Sequence, residues 1–190
     1  MRRSSNHNAN ALAPEEMELL TCAFRAGDLG AFRKLYDMYN AAVYRFCRHM
    51  MADEAAAKDV FQETFLRFYE HRSQLLGSNV RSWLFVIARR TCLNALRSRR
   101  AAHEEFDEGA FVCSQDTVSD VGLRDQIEKA LTALPPALKE ALILREVEGY
   151  TYEEIASICG IDLSLAKVRV HRARITMRKL LAPIVHQVYR

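Results

Sequence analysis

The chain has 190 residues, 49% of them hydrophobic, and its 27 Lys or Arg against 24 Asp or Glu leave a formal charge of +3. That length holds one ordinary domain or two small ones, and seven Gly with four Pro favour a mainly helical chain. No apolar run approaches the ~20 residues of a bilayer span, and the basic start MRRSSNHNAN lacks the apolar stretch of a secretory signal, so a cytoplasmic protein is expected.

In chain order, residues 1–13 are polar, rich in Asn and Ser, and expected to be disordered. Pro14-Glu15-Glu16 opens a first helix, with Pro in the first turn and acids at the positive end of the dipole. Gly27-Asp28-Leu29-Gly30 breaks it. In a second helix Phe32, Leu35, Tyr36, Tyr39, Val43, Phe46 and Cys47 form a wide apolar stripe. Asp53 is placed to cap a third, with Val60, Phe61, Thr64, Phe65 and Phe68 inward. Gly77-Ser78-Asn79 is a turn, and a fourth helix runs from about Val80 to Arg100 over Trp83, Leu84, Ile87, Ala88, Thr91, Cys92 and Leu96.

Residues 101–120 lose the helical period and collect acids and turn formers, as a linker does. A second helical unit begins near Val121, is interrupted at Leu134-Pro135-Pro136 and resumes from Ala137 to Glu148. Thr151-Tyr-Glu-Glu154 then has the capping-box pattern. Gly160 suits a positive-φ helix end and Asp162 a new start. From Leu163 onward Ala166, Val170, Ala173 and Met177 keep the helical period, and no acid occurs as far as Arg190. Two helices about a tight turn, the second with a one-sign positive surface, have the form that enters a DNA major groove. The expected fold is all-α, two small helical domains at 14–100 and 121–190 on a flexible tether.

Charge is segregated along the chain. Arg81, Arg89, Arg90, Arg97, Arg99 and Arg100 lie on the fourth helix without an acid, and eight acids against one Arg fill 104–128. Two polyanion-facing surfaces separated by an acidic connector are implied. Of the five cysteines, Cys22, Cys47, Cys92 and Cys159 fall in apolar helical patterns and read as small buried hydrophobes, while Cys113 lies in the linker. Cys47-Arg-His49 resembles half of a metal site, but no second ligand pair stands at zinc spacing, so neither metal nor cofactor is expected. There is no Walker loop, HExxH or GxSxG, which points away from an enzyme.

Three blocks in order resemble a bacterial RNA polymerase sigma factor of the minimal, extracytoplasmic-function type: DEAAAKDVFQETFLRFY (53–69), NVRSWLFVIARRTCLNALRSRR (79–100) and LPPALKEALILREVEGYTYEEIASICGIDLSLAKVRVHRAR (134–174). The resemblance implies a transcription initiation factor with no small-molecule substrate. Its expected partners are core RNA polymerase, through the β′ clamp helices and the β flap, promoter DNA, and an anti-sigma factor, for which a membrane anchor is one expected form. Asp59, Gln62, Glu63 and Arg67 would dock on the polymerase. Ser78, Asn79, Arg81, Trp83, Arg89, Arg90, Asn94, Arg97 and Arg100 would serve the −10 element. At Trp83 a stacking role competes with a place in the core. Lys167, Arg169, His171 and Arg172 would contact the −35 duplex, with Arg174 and Arg178 as phosphate clamps. Leu66, Phe68 and Leu76 are candidates for the anti-sigma patch. A linker of this length extends at most ~70 Å, about two turns of duplex.

Three departures from the family pattern bear on promoter preference. The usual Gly-Thr-Val-Lys turn is Ser164-Leu165-Ala166-Lys167 here, an expected Asn is Arg90, and a common Asp is Asn94. Two other readings compete, a freestanding helix-turn-helix regulator and an enzyme with a DNA-targeting tail. Both leave the Asp…Gln-Glu face and the arginine row of the fourth helix without a purpose.

Overall fold

The computed structural model describes residues 12–51, 53–77, 79–104 and 122–188, and these contain helices and turns but no strand. The first half runs α1 (Pro14–Arg25), α2 (Leu29–Met51), α3 (Glu54–Glu70), a short 3-10 turn (Arg72–Gln74) and α4 (Val80–Glu104). The second half runs α5 (Leu123–Thr132), α6 (Pro136–Leu142) continued by a π-helical turn (Ile143–Val147), α7 (Tyr152–Cys159) and α8 (Leu163–Val188). The expected disorder before residue 12 and most of the linker lie outside the described residues. α4 runs four residues into the segment expected to be linker.

Local chemistry sets most boundaries. Asp53 Oδ1 accepts from the Ala56 amide at 2.7 Å, starting α3, and Asn79 Oδ1 accepts from the Ser82 amide at the start of α4. Glu16 reaches back to the Ala13 amide at 2.9 Å. α1 buries Leu20, Thr21 and Phe24, which share one face. Cys22 falls off that face and is exposed, correcting its reading as a buried hydrophobe, whereas Cys47, Cys92 and Cys159 are buried.

The core of the first half is aromatic. Phe24 stacks on Phe68 with centroids 4.5 Å apart, and Phe65 and Tyr36 meet edge-on at 4.7 Å. Burying one such ring stabilises by ~1.5–3 kcal/mol. Phe68 is fully buried, so it cannot belong to an exposed partner-binding patch as expected, although Leu66 and Leu76 are 55% and 85% exposed.

The two halves share a core. Ala141, Ile143, Leu144, Tyr150 and Ile155 join the same buried cluster as Phe46, Phe85 and Cys92, while Leu131, Leu134, Leu142 and Ala173 make a smaller core within the second half. α4 lies against α7, and α2 against α5 and α6. No pattern in the sequence signals this packing.

Candidate polymerase and promoter interfaces

On α3, Val60 and Phe65 anchor the helix inward, and its opposite face carries Asp59, Gln62 and Leu66 in solvent. Glu63 and Arg67 sit beside them as an i,i+4 ion pair at 2.5 Å, each side chain a little under half exposed. Such a pair contributes little to stability and leaves both groups available to a partner helix.

α4 divides by side. Arg90, Asn94, Arg97 and Arg100 point outward and are exposed, and Arg99 lies 3.7 Å from Asp53. Asn79 is exposed at the helix start, and Ser78 lies outside the described residues. Trp83 is half-buried with its ring 5.4 Å from Phe68, so its indole is committed to packing in the first half. Arg81 and Arg89, expected on DNA, turn the other way and bind the second half.

That inward junction contains the residues the sequence reading missed. Arg89 holds Glu140 in a two-pronged pair at 2.8 and 3.1 Å, and Arg169 of α8 reaches the same carboxylate at 3.2 Å. Burial opposes the Arg89 charge, and the hydrogen bonds and charge of Glu140 more than offset it, raising its pKa. Arg45 pairs with Glu148 through both oxygens at 2.8 and 2.9 Å. Arg81 donates to the Glu148 carbonyl at 2.6 Å and lies over the Tyr150 ring at 4.2 Å. Both glutamates are buried, and the π-helical turn presents Glu148 at this junction, with the Glu148 amide donating to the Ile143 carbonyl. One signal was available. Glu140 and Leu144 are four apart on the face that carries the core, and an acid in an apolar stripe needs a cation.

Lys139 is also buried at the junction and donates to the Met50 carbonyl at the end of α2 at 3.2 Å. Desolvation lowers its pKa to about 8. Nearby, the Cys47 and Cys92 sulfurs are 4.0 Å apart. The hydrogen bond to Cys47 and burial both push the Cys92 thiol upward, and burial pushes Cys159 up to about 12. Neither is a reactive thiolate at neutral pH. Among the described residues no group of three metal-capable side chains comes together, and no helix is long and apolar enough to cross a membrane.

The helix-turn-helix forms as its residues specify. Thr151 and Glu154 exchange both capping bonds, at 2.8 and 3.2 Å. Gly160 closes α7 at φ 65°, and Asp162 Oδ1 accepts from the Leu165 amide at 2.8 Å to begin α8. Ala166, Val170 and Ala173 are fully buried, which turns Lys167, His171, Arg172 and Arg178 to solvent. Arg174 pairs with Glu146 at 2.5 Å in a half-exposed bridge, and Arg169 alone among the six lies partly buried.

The family profile of Sigma-70 region 2 matches residues 35–102, and that of Sigma-70, region 4 matches residues 124–177. The RNA polymerase sigma factor CarQ of Myxococcus xanthus is 34% identical over 173 residues, covering 88% of this chain and 98% of that one. The ECF RNA polymerase sigma factor SigM of Bacillus subtilis is 31% identical over 77% of this chain and 93% of its own. This chain belongs to the extracytoplasmic-function family of sigma factors. The sigma factor is therefore an alternative transcription initiation factor that works with core RNA polymerase at promoter DNA, not an enzyme, and the freestanding-regulator reading is not favoured. Among solved structures, the sigma factor RpoE in complex with the anti-sigma factor NepR from Bartonella quintana has a TM-score of 0.67 at 28% identity, over 80% of this chain and 96% of that one. CnrH in complex with the cytosolic domain of CnrY has a TM-score of 0.69 at 23% identity, over 87% and 97%, a likeness of fold.

Proposed function

We propose that three surfaces divide the work of initiation. Asp59, Gln62, Glu63 and Arg67 dock on core polymerase. The end of α4, with Arg90, Asn94, Arg97 and Arg100, serves the −10 element together with Ser78 and Asn79, while Trp83 braces that loop from the core side. Lys167, His171 and Arg172 read the −35 duplex, with Arg178 and a released Arg174 on phosphates. Residues 14–100 thus act as region two and 121–190 as region four, with 101–120 connecting them. Work of this kind belongs in the cytoplasm, at the nucleoid.

The observation that carries the reading is the outer face of α8, cationic and exposed beside a capped turn. An anti-sigma factor, membrane-anchored or not, is the natural regulator. The likeness to RpoE, itself solved with NepR, and the exposed Leu66 and Leu76 support one. Run-off transcription with core polymerase tests the whole. Transcripts from a matched promoter and few from a −35-scrambled one are expected. No stimulation of core enzyme on any promoter would reject the assignment.

A further inference from the structure

The cationic outer face of α8 has an apolar centre. Val168 is 40% exposed and Ile175 37%, and both stand on the line of the helix farthest from its core. At 100° per residue Val168 lies about 160° from each of Ala166 and Val170, which are fully buried. Ile175 lies about 160° from Ala173, also fully buried, and about 20° from Val168. Polar and charged side chains flank this ridge. Ser164 and Arg172 are each about 40° from Val168, on opposite sides, and His171 and Lys167 follow at about 60° and 100°. All four are exposed.

A lone exposed apolar residue is ordinary, but a solvated helix keeps charge on the line opposite its core, and here that line is apolar. A major groove accounts for the arrangement. Phosphates stand along its two walls, within reach of flanking cations, and base edges form its floor, where the ridge arrives. The isopropyl group of Val168 offers no donor or acceptor to a base edge. The apolar feature on that floor is the C5 methyl of thymine. Val168 lies in the second turn of α8, in the part of a recognition helix that meets base edges, whereas Ile175 is about two turns farther along. Branching at Cβ holds Val in essentially one χ1 rotamer within a helix, so its methyls are already fixed and the contact orders little that is free.

We propose that Val168 selects a thymine in the −35 element by packing on its C5 methyl, while Arg172 beside it takes the hydrogen-bonding edge of a neighbouring base. This deepens, and rests on, the reading of α8 as the −35 helix. Without Val168 the flanking cations still hold the duplex, and that one base goes unread.

The test assembles holoenzyme from core polymerase and the full chain, and selects bound duplexes from a promoter pool with a randomised −35 element. Wild type should enrich thymine at one position. Val168→Ser should lose that enrichment and keep the preferences elsewhere. Replacing the enriched thymine with deoxyuridine removes its methyl and nothing else. The replacement should weaken wild-type binding about fourfold, the worth of one buried methyl. It should leave Val168→Ser binding unchanged, because both changes delete the same contact. Val168→Ile keeps an apolar side chain there and should keep the deoxyuridine penalty. Thymine enriched at no position, wild-type binding indifferent to every deoxyuridine, or an equal penalty in Val168→Ser would overturn the proposal. Should Val168→Ser misfold by circular dichroism, the wild-type deoxyuridine scan still decides. Base preferences at −35 with no methyl effect reject the role of Val168 alone, whereas a pool enriched at no −35 position rejects the reading of α8 itself.

Discussion

Lys167 and Arg172 occupy opposite edges of the outer face of α8, since five residues at 100° each leave them about 140° apart. Arg172 stands next to exposed Val168 and Ile175, where an apolar neighbour suits contact with a thymine methyl beside a bidentate guanidinium contact. Arg172→Ala should cost ~1–3 kcal/mol on a matched promoter and relax preference at one or two positions. Arg97→Ala, on the outer side of α4, should instead weaken binding evenly and lower the salt slope by about one unit. Salt titrations of the polymerase–sigma–promoter complex on matched and −35-scrambled templates distinguish them, and an unchanged ratio for Arg172→Ala removes that residue from −35 reading. Lys139 gives a different test. Its pKa, lowered to about 8 from 10.5 by burial, means the folded protein holds that proton less tightly than the unfolded chain. Below pH 8 both states are protonated and the full cost of the buried charge is present. As pH rises from about 8 to 10.5 the unfolded chain binds more protons, so stability should rise relative to Lys139→Met. His49 and Cys92 also face this ammonium electrostatically, so the comparison is made as the difference between the two proteins' melting temperatures across that window. A flat difference means Lys139 keeps its proton.

At the scale of elements, what the sequence made legible is what neighbouring residues decide among themselves. The Thr151–Glu154 box, the Gly160 closure and the Asp53 and Asp162 starts each join residues three or four apart or fix one backbone angle, and all four are present. Gly160 has nothing within 4 Å of an added Cβ, so Gly160→Ala meets only backbone strain and should cost about 1–2 kcal/mol. Gly160→Asn should cost less, and thermal unfolding of both variants checks the order. Equal melting points for Ala and Gly would mean the turn has another conformation open to it. Partnerships at long range were not legible. Arg89 and Glu140 are 51 positions apart and Arg45 and Glu148 are 103, so the row of arginines on α4 reads as one DNA-facing surface when Arg81 and Arg89 face the second half. The π-helical turn, which gives Glu148 its place, has no local signature in Ile143–Val147. Cys22 shows the limit of periodicity on a short helix, where one position off the Leu20–Phe24 stripe separates burial from solvent.

Across the whole molecule, the shared core and the doubled arginine joints make two sequence units into one thermodynamic body. Trp83 turns this into something visible. It is the chain's single tryptophan, and its ring packs on Phe68 of the first half, so its emission reports the loss of that contact, while far-ultraviolet dichroism responds to helices in both halves. In a urea titration of the free protein the two signals should trace one curve, because a unit that shares Ile143, Leu144 and Tyr150 with its neighbour cannot melt without exposing the other. With Glu140→Gln the curves should part, the dichroism falling first. Coincidence in both proteins would mean that apolar contact alone binds the halves, and two separate curves in wild type would mean the halves unfold as strangers. One indole thus serves as a built-in gauge of whether this transcription factor behaves as one body or two.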